Sequence, residues 1–161
     1  MGGNDPHQGE GDAVNLTDPT DEMACYVAHH LRDEDANEVW LSHRANPAEA
    51  VLGSWAESEL CQAIVTEDGV PAGMTGVVGN RIWMLGTPEL TATKERRLHL
   101  CTKGRGWVQH CMDRVGEPIG NFVYAKNRQA IRWLRFLEFE VGPAQPYGPS
   151  GALFRPFWRL V

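Results

Sequence analysis

Apolar positions follow two different periods along this 161-residue chain, and the helical period comes first. After a short predicted strand at about 13–16, apolar residues between positions 24 and 31 recur at helical spacing. Asp18-Pro19 is a suitable cap and first residue for this helix. A second helical stretch covers about 35–43, and a third starts at Asn46-Pro47, again a cap followed by proline. We therefore predict a first third built from two or three helices.

The middle of the chain changes to a β-rich pattern. Residues 60–79 predict a hairpin whose turn is Glu67-Asp68-Gly69, and residues 81–86 (RIWMLG) predict a third strand. Thr87-Pro88-Glu89 then caps a helical segment, with or without a break, that extends to about 114. Further on, NFVYA predicts a strand, and the C-terminal tail predicts two strands around a Pro/Gly turn. This order predicts a mixed α/β sheet with helices on both faces.

The segment NRQAIRWLRFLEF (127–139) predicts a helix that is apolar over more than half its circumference. At about 100° per residue, Arg128, Arg132 and Arg135 fall within roughly 60° of one another. A plain surface helix needs an apolar stripe only a little over 100° wide. We therefore expect this helix to be wedged into the molecule, with one ribbon left for water or anions.

Composition favours one domain over 14–161 preceded by a flexible tail at 1–13. The start lacks an export signal and no apolar run approaches a membrane span of about 20 residues. We therefore expect a protein that is not secreted and has no membrane partner, with four free thiols. The net charge is −6, yet the stretch from Lys94 to Arg135 is strongly basic. That stretch is either an anion-binding face or a pair of solvated helix faces.

The order of elements, with a strand leading directly into AKNRQAIRWLRFLEF, resembles the GNAT (Gcn5-related N-acetyltransferase) fold. Asn127, Ala130 and Phe139 match that family's C-terminal signature, while Leu134 replaces its Tyr and Glu138 its Gly. RIWMLGTPEL, the basic helix and N-x-x-x-IRWL are similar to a phage branch, the internal virion protein A family of short-tailed bacteriophages. The likeness covers about 60–161. It implies a mixed, mostly antiparallel twisted sheet of about six to seven strands.

The resemblance also implies acetyl-CoA or a related acyl-CoA as cofactor, bound in two places. A strand end supplies backbone groups for the pantetheine amides, and a helix start takes the pyrophosphate. Asn127 would lie near the thioester. The implied residues are Met84, Leu85, Gly86, Thr87, Thr93, Lys94, Arg96, Arg97 and Asn127. Gly104 and Gly106 either form a phosphate loop or lie within one long helix.

Transfer of an acyl group to an amine needs a base and an acid. Glu57, Glu59 and Tyr124 are the candidates, and each also suits an ordinary surface or sheet position. His99, Cys101, His110 and Cys111 match no metal-binding spacing, so we expect no metal.

Two functions follow from the resemblance. The first is an acyl-CoA-dependent N-acetyltransferase that acts on an unknown amine. The second is a catalytically inactive virion or assembly protein that binds phage structural proteins. The expected location is the host cytoplasm or the phage particle. We expect the basic stretch to lack interleaved exposed aromatic residues, so a nucleic-acid partner is not expected.

Overall fold

The computed structural model describes residues 13–161, so the predicted tail at 1–13 lies outside the described residues except for Ala13. The helices are α1 (Asp21–His29), α2 (Asp33–His43), α3 (Pro47–Glu57), α4 (Lys94–Val115) and α5 (Arg128–Phe136), with a 3-10 turn at Pro88–Thr91. The strands are β1 (Val14–Thr17), β2 (Leu60–Thr66), β3 (Pro71–Val78), β4 (Arg81–Gly86), β5 (Ile119–Tyr124), β6 (Glu140–Val141), β7 (Gln145–Pro146) and β8 (Leu153–Arg159).

The described residues form one eight-stranded sheet in the order β1-β2-β3-β4-β5-β8-β6, with β7 also on β8. Each pairing is antiparallel except that of β4 with β5, which is parallel and joined only at Arg81 and Gly120. The sheet therefore splits between β4 and β5 beyond this pair. A mixed, mostly antiparallel sheet is confirmed. It has eight strands because the tail forms three, β6, β7 and β8, where two were predicted.

Helices cover both faces of the sheet, as predicted. On one face, α1 and α3 pack on Met74 and Leu85 through a cluster that includes Val27 and Val51. On the other face, α4 and α5 enclose a larger cluster that includes Ile82. Burial of these apolar surfaces is the main favourable contribution to the fold. The two helix layers meet the split in the sheet from opposite sides.

The start of α1 differs from the prediction. Thr20, not Asp18, is the cap, because its hydroxyl accepts a hydrogen bond from the N–H of Met23 at 3.2 Å. The carboxylate of Asp18 instead accepts from Gln62 Nε2 at 3.2 Å. A hydroxyl is as competent a cap as a carboxylate, so sequence alone placed this start two residues early. The cap predicted at Asn46 is confirmed, with a reciprocal capping box.

The basic segment forms the continuous helix α4, and Gly104 and Gly106 both lie inside it. A Cβ atom at Gly104 would stand 3.0 Å from Leu137 Cδ2 and 3.4 Å from Trp133 Cζ2, whereas one at Gly106 would meet nothing within 4 Å. Gly104 therefore permits a close approach of α4 to the α5 region. Of the two alternatives left by the sequence, the helix is the one observed.

Helix α5 has the predicted arginine stripe. Arg128, Arg132 and Arg135 are exposed, while Ile131 and Leu134 are buried against the sheet. Phe136 departs from the expected burial, with 45% of its surface exposed. The guanidinium of Arg105 lies 4.3 Å from the centre of the Phe136 ring, so α4 covers this apolar face with a cation rather than with the core.

Candidate functional site

A cavity of about 830 Å³ occupies the split, and both helix layers contribute to its walls. From one face of the sheet come α2 and α3, and from the other come α4 and α5. The exposed edges of β4 and β5 line it between these helices. This volume is in the range of small-molecule sites in proteins. Two ligands that enter from opposite faces of the sheet would meet at the split.

The carboxyl end of β4 is tied to α2 through its backbone. The N–H of Gly86 donates to Asp35 Oδ2 at 2.7 Å, and the carbonyl of Gly86 accepts from the N–H of Arg32 at 2.9 Å. The N–H of Thr87 donates to the carbonyl of Ala72 at 2.9 Å. Of the four residues predicted to bind pantetheine, Gly86 and Thr87 thus already use their N–H groups within the chain. Leu85 is paired with Met74 of β3.

Met84 retains backbone groups that face the split. The N–H and C=O groups of alternate residues in a strand point to the same side, so those of Ile82, Met84 and Gly86 share a direction. The Ile82 carbonyl accepts from Asn121 Nδ2 at 3.0 Å, and Gly86 is bound by α2. On that side β4 pairs with a strand only at Arg81. Within the described residues, Met84 is therefore the position of β4 whose N–H and C=O are open to the cavity.

The side chain of Met84 faces the α4 layer and packs against the same buried cluster as Leu100 of α4. This cluster consists of Val14, Ile64, Ala72 and Leu90. Leu85 faces the opposite layer and pairs with Met74 of β3. The two adjacent residues therefore contribute to opposite sides of the split.

The charged residues of the cavity wall are sorted by face. Helices α2 and α3 supply the acids, which are Glu34, Asp35, Glu38, Glu49 and Glu57. Helices α4 and α5 contribute no acid to the wall, and their charged residues there are Arg97, Lys103 and Arg132. Arg32 is the cation of the acidic side, and its guanidinium is paired with Asp35 at 2.9 Å. The α2 and α3 side, here called the acidic end, is thus suited to an ammonium group. The α4 and α5 side, here called the basic end, is suited to phosphate.

Glu38 of α2 contacts the start of α5, because its carboxylate Oε1 accepts from Asn127 Nδ2 at 2.9 Å. Burial raises the pKa of Glu38 to about 7, although the hydrogen bond from Asn127 opposes the shift. A carboxyl group with such a pKa changes charge near neutral pH, as a general base requires. Sequence reasoning missed this residue.

Asn127 links the two helix layers. Its Oδ1 accepts from the N–H of Ala130 at 3.2 Å and thereby caps α5. Its Nδ2 holds Glu38, which lies 89 positions earlier in the chain. Asn127 lines the cavity, but both ends of its amide already have partners within the chain.

The cations predicted for the pyrophosphate are only partly gathered at the cavity. Arg97 lines it and donates to the carbonyl of Thr91 at 3.0 Å. Arg96 is buried and paired with Glu89 at 2.6 Å. Thr93 caps α4, and Lys94 is exposed outside the wall. Lys103 and Arg132, which were not among the residues predicted for the pyrophosphate, are the further cations of this end.

The predicted catalytic residues lie apart from one another. Glu57 is exposed at the acidic end of the cavity, whereas Glu59 is exposed outside its wall. The Tyr124 ring packs against Phe154 with ring centres 5.4 Å apart. Leu134 lines the cavity and has no group that could donate a proton.

A second opening, here called the polar pocket, lies beside the start of α5 and has a volume of about 330 Å³. Its walls are formed by Glu34, Asn37, Glu38, Tyr124, Lys126, Asn127, Arg128 and Gln129. Glu38 and Asn127 also line the large cavity, so their hydrogen bond stands at the boundary between the two.

The histidine and cysteine cluster of α4 has ordinary structural roles. His99 Nδ1 accepts from the N–H of Val14 at 2.9 Å and so attaches β1 to α4. Burial raises the pKa of the Cys111 thiol to about 12. Residues 13–161 contain no grouping of three His, Cys, Asp or Glu side chains that could hold a metal ion. No helix in that range is long and apolar enough to cross a membrane.

No protein-family model matches this sequence, and neither does any curated protein. Solved structures do. A GCN5-related N-acetyltransferase from Kribbella flavida superposes with a TM-score of 0.66 at 14% identity, over 93% of this chain and 99% of that one. Spermidine N-acetyltransferase from Vibrio cholerae, solved with CoA and spermine, gives 0.64 at 9% identity, over 91% and 95%. The described chain has the fold of the GCN5-related N-acetyltransferases.

Proposed function

We propose that this protein is an acyl-CoA-dependent N-acyltransferase that transfers an acetyl or related acyl group to an amine. The observation that supports it best is the cavity that crosses the sheet at the open Met84 position, with cations on one face and acids on the other. A thioester with an anionic tail and an ammonium substrate have the opposite charges. The fold of the CoA-bound Vibrio cholerae enzyme is consistent with this assignment.

The acyl-CoA would enter between α4 and α5. Its phosphates would be held by Arg97, Lys103 and Arg132, because guanidinium and ammonium groups bind phosphate strongly. Its pantetheine amides would bond the free N–H and C=O of Met84, as an added strand does at a sheet edge. The amine would enter from the α2 and α3 side, where carboxylates offset the cost of desolvating its positive charge.

The alternative is a binding scaffold without chemistry, as the resemblance to the phage virion branch implies. Two observations favour it. Leu134 cannot serve as an acid, and Gly86 has both backbone groups bound by α2, which shortens the free edge of β4. This alternative predicts that the protein is present at fixed stoichiometry in purified phage particles and does not consume acetyl-CoA.

Calorimetric titration with acetyl-CoA tests the binding half of the proposal, and a matched pair of variants tests the site. Arg132→Ala removes a cation of the cavity wall and should weaken acetyl-CoA binding about tenfold, with less dependence on salt. Arg135→Ala removes an exposed cation of the same helix outside the wall and should change the affinity by less than twofold.

Formation of free CoA from acetyl-CoA in the presence of primary amines, followed by chromatography, tests the transfer half. No heat and no thermal shift at millimolar acetyl-CoA would contradict the proposal, since even weak specific binding stabilises a fold. Binding without CoA release for any amine in a broad panel would favour the scaffold.

A further inference from the structure

Glu38 differs from the other acids of the cavity wall in its hydrogen bond to Asn127 at the start of α5, and what it would do rests on the proposed acyl transfer. Glu49 and Glu57 are exposed on α3, whereas Glu38 is partly buried at the split and is fixed by Asn127 at 2.9 Å. It also lines both the large cavity and the polar pocket, as the exposed Glu34 does. A carboxylate in this place touches the substrate space on one side and a separate route to solvent on the other.

We propose that Glu38 is the general base of the transfer, that Asn127 positions it, and that the proton it takes leaves through the polar pocket.

The chemical step balances with one base. The Glu38 carboxylate removes a proton from R–NH₃⁺, and the amine nitrogen then attacks the thioester carbon to form a C–N bond. As the tetrahedral intermediate collapses, the C–S bond breaks and the thiolate takes a second proton from the attacking nitrogen, directly or through a water molecule. The products are R–NH–acyl and CoA–SH. The proton on Glu38 is the one released to solvent, so no separate acid is required in place of Leu134.

The polar pocket is the exit that remains when the cavity is filled. An acyl-CoA and an amine that meet at the split would both lie on the cavity side of Glu38, and together they would block that path to solvent. The pocket wall carries polar and charged side chains, among them Asn37, Lys126 and Gln129. Such a wall suits water molecules that carry a proton away.

The groups that face Glu38 agree with titration near neutral pH. Burial and the nearby carboxylate of Asp35 raise its pKa, while the Asn127 amide, the Tyr124 backbone and Arg32 lower it, and the result is about 7. Glu34, Lys126 and Arg128 also line the polar pocket, with charges of both signs. The carboxylate form therefore grows as the pH rises through 7.

The first experiment measures CoA formation from acetyl-CoA with n-butylamine as the probe amine between pH 5.5 and 9. Glu38→Gln should lower kcat/KM about 100-fold or more, the usual effect of losing a general base, and should remove the transition near pH 7. The remaining pH dependence would be that of the amine itself, whose pKa is near 10. Affinity for acetyl-CoA should stay within twofold by calorimetry. Glu117→Gln, at an exposed site outside both openings, is the matched control and should leave all values unchanged.

The outcomes separate this inference from the proposed function. If acetyl-CoA binds and is turned over while Glu38→Gln keeps wild-type kcat/KM, the function stands and the base is another residue. A loss in Glu57→Gln instead would identify that residue as the base. If wild type binds acetyl-CoA but turns over no amine, the transfer and the base are both refuted. If acetyl-CoA does not bind, the proposed function fails first.

Asn127→Ala tests the positioning role. Its hydrogen bond favours the charged form of Glu38, so its removal should move the midpoint of the kcat/KM profile to higher pH. A residue that acts only as the cap of α5 would lower the melting temperature and leave the midpoint in place. That second result would overturn the positioning role.

The exit is tested by filling the polar pocket from its outer wall. Asn37 lines this pocket and not the large cavity, so Asn37→Phe should lower kcat several-fold and increase the effect of D₂O on it, with unchanged acetyl-CoA affinity. Asp33→Phe places the same bulk on α2 outside both openings and should leave kcat within twofold. If Asn37→Phe has wild-type kcat and isotope effect, the proton leaves by another path.

Discussion

The two ends of the cavity differ in how they are built. The basic end is formed by α4 and α5, two helices that lie close in sequence and contact each other at Gly104. The acidic end depends on α2, which carries no recognisable motif and reaches the split through Asp35 and Glu38. The end with a sequence signature has Leu134 where the resemblance implies a Tyr, whereas the end without one holds Glu38, whose pKa is raised to about 7. The sequence signature around Asn127 thus indicates where to look for a site, but it does not include Glu38, the partly buried acid found there.

Removal of Asp35 should have the largest effect on stability, because its side chain joins the end of β4 to α2 and to Arg32. Asp35 is buried and binds both the N–H of Gly86 and the guanidinium of Arg32. Asp35→Ala leaves both donors without their partner and should cost about 3 kcal/mol of unfolding free energy, near the lower limit for breaking a buried pair. Urea unfolding measures it.

Asp33→Ala, on an exposed site of the same helix, is the control and should cost less than about 0.5 kcal/mol. Asp35→Ala also frees the backbone of Gly86 beside Met84. If its acetyl-CoA affinity is unchanged or higher, the basic end works without α2. A loss of affinity matching the loss of stability would show that the two ends form one cooperative unit.

The features that the sequence predicted correctly are those determined by residues that are close together in the sequence. The strand at 81–86, the cap at Asn46 and the helix after Asn127 each follow from neighbouring residues. Asp35 and Glu38 find their partners 51 and 89 positions away, so no local pattern marks them. In the sequence they are two of the many acids of a polar helix. Only the docking of α2 on the split gives them a shared environment.

The same long-range burial makes the acidic end sensitive to pH. The pKa of Glu38 is raised from 4.5 to about 7, so the folded state holds its proton more tightly than the unfolded state does. The resulting stability is fully present below pH 4.5 and is lost as the pH rises through 7. Glu38→Gln removes this dependence and keeps an oxygen that can accept from Asn127. It should stabilise the protein at pH 8 by about 1–2 kcal/mol, after allowance for partial exposure, and by little at pH 5.

Chemical denaturation of wild type and Glu38→Gln at both pH values measures this difference. Glu57 is exposed at the same end, and the difference in unfolding free energy between Glu57→Gln and wild type should be the same at pH 5 and pH 8. If the two stability differences for Glu38→Gln are equal, the carboxyl group is already charged at pH 5. Its role as a base near neutral pH would then have to be abandoned.

A smaller change in unfolding free energy is expected at the basic end, where the two glycines of α4 can be compared. Alanine in a helix interior is favoured over glycine by about 0.8–1 kcal/mol. Gly106 has open space around a new Cβ, so Gly106→Ala should raise the unfolding free energy by about that amount.

At Gly104 the new methyl group would press on Leu137, which is only 2% exposed and has little room to move. Overpacking of this kind costs about 1–3 kcal/mol, so Gly104→Ala should cancel or reverse the gain from helix propensity. The two variants should therefore differ by about 1–2 kcal/mol in thermal or urea unfolding, although they make the same chemical change two residues apart. Equal stabilisation by both would mean that α4 and the end of α5 are separated enough to admit a methyl group. The basic end would then owe its shape to the sheet beneath it, and Gly104 would be replaceable without loss of acetyl-CoA binding.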